Sequence, residues 1–167
     1  SGICSSQGEG EIIIKNGSKR LIWWSSTLAY DNLNNPVSIT FIGNDITEQR
    51  FLEAELRKAS QAIEQSPSTV MITDIAGKIV YSNPKFTELT GYSKQEVIGK
   101  NPRFLQSGET QANDYKELWK ALKNDQEWVG EFHNKKKNGD LYWESARISA
   151  IKDSNGEISH FLAVKED

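Results

Sequence analysis

The sequence has one cysteine, Cys4, and two histidines, His133 and His160, so it can form no internal disulfide and offers no Cys/His cluster at zinc-binding spacing. That cysteine usage fits a reducing, cytoplasmic setting. No apolar run approaches the ~20 residues a membrane-spanning helix needs, so no membrane contact is expected in this segment. Neither sign of charge dominates. Twenty Lys and Arg stand against 23 Asp and Glu, a net of −3 with both signs scattered, which argues against a nucleic-acid partner. The sequence also lacks a Gly-rich phosphate loop, a Gly-x-Ser-x-Gly elbow, a metal-ligand pattern and a histidine beside a plausible nucleophile, so no catalytic residue and no metal site is expected. What remains suffices for a packed core: 167 residues, 37% hydrophobic and 10% aromatic.

The chain repeats itself. Lys15-Asn16-Gly17, an apolar run from Leu21 to Trp24, Asp31 in an Asn-rich turn, a β-rich run from Val37 to Ile42 and then Asp45 form one series. Lys137-Asn138-Gly139, Leu141 to Trp143, Asp153 with its Ser154-Asn155-Gly156 turn, Ile158 to Val164 and Asp167 form the second. Asn-Gly between β-rich runs is a strong hairpin signal, because a type I′ turn needs positive φ at both central residues. Strands are therefore expected at 10–16, 19–30 and 36–44, and again at 127–137, 140–151 and 158–165, each set a three-stranded antiparallel meander. Residues 1 to 9 are too few to give the first copy a front half.

Between the copies, Leu52, Leu56, Ala59 and Ile63 are spaced 4, 3, 4, with Glu and Lys/Arg around them, until Pro67 stops the pattern. This is either a helix packed on its own domain or one strand of a parallel coiled coil. The narrowness of the stripe favours the second. From 68 to 126 two short strands flank a turn at Ala76-Gly77. Asn83 caps a helix with Pro84 at its first position and Gly91 after its end, Ser93 and Glu96 form a capping box, and Tyr115, Leu118, Trp119 and Leu122 mark a helix over about 112 to 124. The fold class expected is α+β, in the order β-β-α-α-α-α-β-β-β.

That order and four stretches resemble the PAS sensory domain over residues 67 to 167. The stretches are Asn83-Pro84-Lys85-Phe86, Thr90-Gly91-Tyr92-Ser93, Gly99 to Gln106, and Lys137-Asn138-Gly139. Asp45-Ile46-Thr47-Glu48 resembles the Asp-Ile-Thr signature that ends a PAS domain and begins its output helix, and Val164 to Asp167 resembles the same signature cut after its aspartate. The resemblance thus implies three parts: the C-terminal strands of a truncated PAS domain (1–44), a signalling helix (45–66) and a complete PAS domain with a five-stranded antiparallel sheet (67–167). It implies the sensory segment of a bacterial signal-transduction protein. Asp45, Ile46, Thr47 and Asp167 carry its signalling junctions, Leu52, Leu56, Ala59 and Ile63 pair it as a homodimer, and a histidine kinase or cyclic-dinucleotide enzyme follows as output domain of the same polypeptide.

Gly99 to Gln106 is closest to the light-oxygen-voltage (LOV) branch, whose Gly-x-Asn-Cys-Arg-Phe-Leu-Gln motif supplies a cysteine that bonds to photoexcited flavin. Pro102 stands in that cysteine's place and has no nucleophile, which excludes cysteinyl-adduct photochemistry. By the same resemblance Asn101, Arg103 and Gln106 match residues that hold the flavin's ribityl and phosphate, and Asn134 matches a ring-contacting amide. Trp128-x-Gly130 followed by Asn134 is similar to redox-sensing PAS domains that hold flavin adenine dinucleotide.

Strand parity gives an independent handle, since alternate residues share a face. Trp128, Gly130, Phe132 and Asn134 face one side, Glu144 points inward with Ala146, Ile148 and Ala150, and Lys165 shares a face with Phe161 and Ala163. His133 and His160 fall on the opposite face, as surface histidines. By the resemblance, Glu144 and Lys165 occupy positions where flavin-binding relatives carry ring-contacting amides. Two readings of these charges stay open. Either they pair across neighbouring strands and close a pocket that holds no cofactor, or a flavin (FAD or FMN) binds and Glu144 senses its protonation on reduction. Arg103 is expected to reach a phosphate, cap a helix end or pair with Glu109.

Overall fold

The computed structural model describes residues 3–166. The chain divides into two compact units, Ser1–Ala59 and Ser60–Asp167.

In the first unit β1 (Ile3–Ile13), β2 (Lys19–Tyr30) and β3 (Pro36–Asp45) form an antiparallel sheet in sequence order, and α1 (Thr47–Glu64) follows, its last turn belonging to the second unit. The meander is the one expected, but β1 covers 3–13 rather than 10–16. Gly8 within the added length is required where it is: a Cβ there would stand 2.9 Å from the Trp24 ring. The indole fills the space that side chains on β1 would otherwise take. Ile22, Trp24, Leu28, Ile39 and Phe41 share one face by register, and Val37, Ile39 and Phe41 are exposed on β3.

The Asp45-Ile46-Thr47 turn joins sheet to helix by three hydrogen bonds. Asp45 Oδ1 accepts from the Thr47 amide at 2.9 Å, Thr47 Oγ1 accepts from the Leu21 amide at 2.8 Å, and the Ile46 amide donates to the Leu21 carbonyl at 2.9 Å. The Thr47 hydroxyl and then its amide hold the Asp45 carboxyl below its usual range. Along α1 no residue is buried, and Leu52, Leu56, Ala59 and Ile63 are all exposed. Asp167, the matching aspartate of the second copy, lies outside the described residues.

In the second unit β4 (Thr69–Asp74), β5 (Ile79–Ser82), β6 (Trp128–Lys135), β7 (Leu141–Lys152) and β8 (Ile158–Glu166) form an antiparallel sheet of order β5-β4-β8-β7-β6. Short helices α2 (Pro84–Thr90) and α3 (Lys94–Val97), a 3-10 helix (Pro102–Leu105) and α4 (Ala112–Lys123) connect β5 to β6. The expected caps are in place. Asn83 precedes Pro84 and accepts from the Phe86 amide, Gly91 takes the left-handed conformation at φ 76°, and the Glu96 carboxylate accepts from the Ser93 amide and hydroxyl. Phe86, Ile79, Leu105 and Val97, each at most 2% exposed, centre the core. Burying one such side chain contributes about 1.5–3 kcal/mol.

Candidate functional site

The inward face of the sheet is not filled. A cavity of about 370 Å³ lies between it and the helices, walled by Met71, Leu105, Leu118, Leu122, Phe132, Ile148, Phe161 and Ala163. Polar groups reach it from a few points: Thr73 on β4, Asn101 and Gln106 at the two ends of the 3-10 helix, Arg103 within it, Asn134 on β6 and Lys165 on β8.

Each is placed by local sequence. Asn101 accepts the Arg103 amide at 3.1 Å and so begins the 3-10 helix, with Pro102, which has no amide hydrogen to satisfy, at its first position. Arg103 Nε lies 3.3 Å from the same Asn101 oxygen, leaving most of the guanidinium in solvent, while Glu109 lies beside His133 instead. Gln106 forms an isolated bridge to Asn134, fastening the loop after the 3-10 helix to the edge of β6. Gly77 sits in the β4–β5 turn at φ 74°, where a Cβ would meet Asn101 Nδ2 at 2.9 Å and the Trp119 ring at 3.6 Å. A side chain there would force the two apart.

The two inward charges do pair. Lys165 Nζ donates to Glu144 Oε1, and the same oxygen accepts from Asn134 Nδ2 at 2.7 Å. Glu144 is 2% exposed and Lys165 5%, so both ions are withdrawn from water, and the ammonium also stands 5.2 Å from the centre of the Phe132 ring. The Coulomb attraction and shared hydrogen bonds offset the desolvation that would make either ion costly alone. The pair does not close the pocket, however. Lys165 lines one end of it and leaves the volume open, while Glu144 stands behind Lys165 and Asn134 and does not line it.

Trp128 is not in the lining either. Its ring lies back over Gly130, where a Cβ would come within 2.4 Å, and packs on Phe132 at 5.0 Å between centres. The glycine two residues on gives the indole room along its own strand, so it fills core instead of the cavity. His133 falls on the opposite sheet face, as parity requires, but is 8% exposed instead of being a surface residue. Trp143 stacks on it at 4.5 Å and Glu109 approaches its Nδ1 at 2.6 Å. Gly77, Pro102, Tyr115 and Trp119 complete the lining; Thr73, Gly77, Tyr115 and Trp119 were not among the expected site residues. Parity with Met71 marks Thr73. Trp119 fits the buried stripe of α4 by spacing, yet is 39% exposed, because it also borders an open groove beside Lys116, Lys120 and Lys123.

The family model of the PAS domain matches residues 67–167, and the chain belongs to that family. Over 105 residues it is 35% identical to the nitrogen fixation regulatory protein of Klebsiella oxytoca, a match covering 63% of this chain. The match is 21% of that protein, so the chain spans about a fifth of the length of this curated relative. The crystal structure of a PAS domain from Colwellia psychrerythraea superposes with a TM-score of 0.63 at 25% identity, over 68% of this chain and 96% of that one. The LOV domain of a blue-light activated histidine kinase from Erythrobacter litoralis superposes with a TM-score of 0.57 at 28% identity, over 62% of this chain and 97% of that one. The second unit is thus a sensory domain of the PAS/LOV type. Among the described residues no helix is long and apolar enough to cross a membrane, and no group of three or more metal-ligating side chains occurs.

Proposed function

We propose that residues 67–167 form a ligand-responsive sensory module, with a flavin as the ligand. The observation that carries this is the cavity: about 370 Å³, apolar on its broad walls, with amides at Asn101, Gln106 and Asn134 and one ammonium. Small-molecule sites have this make-up and begin at roughly 300 Å³. Two apolar walls suit a flat ring. Asn134 and Lys165 then meet the ring's polar edge, Asn101 and Gln106 its hydroxylated side chain, and Arg103 at the mouth a phosphate. A bound flavin supplies a redox centre that takes up protons on reduction. Glu144 holds Lys165 and Asn134 in register with that edge, and Pro102 contributes packing where a LOV cysteine would contribute a thiol.

The output is proposed to leave through α1. Asn83 donates to the Ile63 carbonyl at 3.2 Å and the Ser68 carbonyl at 3.0 Å, and accepts from the Val70 amide at 2.9 Å. Tyr81 donates to Glu64 at 2.7 Å. The last turn of α1 is thereby tied to β4 and β5, and β4 carries Met71 and Thr73 into the cavity wall. A change in the wall would shift the population of two helix settings. The exposed stripe of Leu52, Leu56, Ala59 and Ile63 supports a homodimer that reads this change and passes it to an output domain elsewhere in the polypeptide, a histidine kinase or a cyclic-dinucleotide enzyme.

A second reading rests on the self-sufficient Lys165–Glu144 pair, which needs no ligand to satisfy it: a module for dimerisation and relay alone. The absorption spectrum of the purified chain, followed by titration with riboflavin, decides between them. Flavin bands, or saturable riboflavin binding abolished by filling the cavity with Ala163→Trp, support the first reading. No binding at any concentration leaves the relay module.

A further inference from the structure

The two meanders share one register. Gly8 faces Trp24 and Trp24 faces Gly43; 122 positions on, Gly130 faces Ala146 and Ala146 faces Lys165. The irregularity recurs too, after Ala29 in β2 and after Ile151 in β7. In both units the aspartate of the turn that follows, Asp31 or Asp153, accepts two backbone amides. Residues at matching positions therefore stand on matching faces. The face of Ile22, Trp24, Ile39 and Phe41 in the first unit corresponds to the cavity wall of the second. It is built as a core face: an indole lies over Gly8 as one lies over Gly130, although Trp24 sends it from the neighbouring strand and Trp128 from the same one.

What covers that face in the second unit has no counterpart in the first among the described residues. β4 pairs along the far edge of β8 from Thr69 to Asp74. At the hairpin tip the Lys137 amide donates to the Thr90 carbonyl at 2.9 Å, and its ammonium pairs with Glu96 and stands 5.7 Å from the centre of the Tyr92 ring. In the first unit the matching edge, on β3, pairs with no strand among the described residues, and all of β3 is exposed, Phe41 to 64%. Lys15, at the matching tip, is exposed and has no ion-pair partner among the described residues. Val37 to Gly43 carry no charge, whereas β1, the other edge, carries Glu9 and Glu11, paired with Arg50 and Lys19. Free sheet edges are ordinarily guarded by charge, so β1 is protected and β3 is open to a strand.

We propose that β3 and its apolar face receive a strand and short helices from elsewhere in the same polypeptide, arranged as β4 to α4 are, and that side chains fill the core so completed. A second copy's β3 would meet the edge alone and leave Ile39 and Phe41 in water. A strand that leads into helices covers edge and face together. The covering segment brings a carboxylate to Lys15, as Glu96 serves Lys137. The core is closed because the polar groups of the second unit are missing from it: Ile12, Ile22 and Gly43 stand where Asn134, Glu144 and Lys165 do. Phe41 takes the place of Ala163, which in the second unit leaves the cavity wall open. A ring with a polar edge finds neither room nor partner there. None of this depends on which guest the second cavity takes.

Hydrogen–deuterium exchange read by mass spectrometry, on the 167-residue chain and on the full-length polypeptide, tests the docking. The fast-exchanging amides of β3 should slow by at least about tenfold in the full-length polypeptide, with β8 unchanged between the two. Phe41→Ala tests the filling. In the 167-residue chain, where the ring is exposed, it should move the melting temperature by less than about 2 °C. In the full-length polypeptide it should lower the melting of the first unit by about 10 °C or more. Equal exchange of β3 in the two proteins overturns the docking. Slow exchange already present in the 167-residue chain and lost on dilution assigns the edge to a second copy and overturns it equally. Slow exchange in the full-length polypeptide with a melting temperature that Phe41→Ala leaves unmoved overturns the filled core.

Discussion

The shared oxygen of Glu144 predicts how costly it is to break the inward pair. Glu144→Gln keeps the shape and an acceptor for Asn134 but removes the charge that pairs with Lys165. That leaves an ammonium 5% exposed, with a neutral amide and the face of Phe132 for company. Breaking a buried pair commonly costs 3–5 kcal/mol, and the retained hydrogen bonds put this change at the lower end, about 3 kcal/mol. That is roughly a 150-fold drop in the folded-to-unfolded ratio. For a unit of this size it is about 12 °C or more off the melting temperature. Lys165→Met should cost a similar amount, because the carboxylate then has only the Asn134 amide. Combining the two removes both charges and should recover most of the loss, giving a coupling of about 2–3 kcal/mol in a double-mutant cycle. Urea unfolding followed by tryptophan fluorescence and far-ultraviolet circular dichroism measures each arm. Single changes that shift stability by less than about 0.5 kcal/mol, or a double variant equal to the sum of the singles, would refute the pairing argument.

Further outcomes follow from other parts of the structure. Asn83→Ala removes the cap of α2 and the bonds to Ile63, Ser68 and Val70, and should destabilise by about 2–3 kcal/mol in the same assay. The Lys137 ammonium, then the Ser93 amide and hydroxyl, hold the Glu96 carboxyl down to about 2. Its folded value is thus below the ordinary 4.5, so its contribution is present above about pH 4.5 and is lost as pH falls toward 2; Glu96→Gln should flatten stability against pH in that window and nowhere else. Reconstituted with flavin, the chain should show no reversible bleaching of its visible bands under blue light, since Pro102 offers no thiol; bleaching with dark recovery would contradict this. Sedimentation should give twice the chain mass, and Leu56→Glu with Ile63→Glu should move it toward the monomer, because both side chains are exposed along α1; a wild-type monomer at every concentration would sink the dimer.

The period-2 and capping signals were legible because they are local. The parity of β6, β7 and β8 placed Phe132, Asn134, Glu144 and Lys165 on the inner face, and Asn83, Pro84, Gly91 and Glu96 marked helix boundaries through bonds spanning three or four residues. Trp128 and β1 were misread for one reason. In both, a glycine's role is set by an indole, Trp128 over Gly130 and Trp24 over Gly8, and nothing in a strand pattern says which way a large ring lies. His133 was hidden by a contact from Glu109, 24 positions earlier, and by Trp143 across the hairpin. The mouth of the cavity was illegible for the same cause on a larger scale. Gly77, Asn101 and Trp119 meet from three separate elements, and only the folded backbone brings them to one point.

The hydrogen bond from Asn134 to Glu144 reaches further than the stability it adds. A carboxylate can only accept, so the amide must turn its nitrogen toward Glu144, and its carbonyl oxygen is the end left for the cavity. An unconstrained asparagine would present either end to a guest. Here Glu144, which does not line the cavity, decides that one polar point inside it is an acceptor and not a donor. The Glu144→Gln variant, whose own side-chain amide can face either way, would let Asn134 flip, and the pocket would lose its preference before it lost its shape.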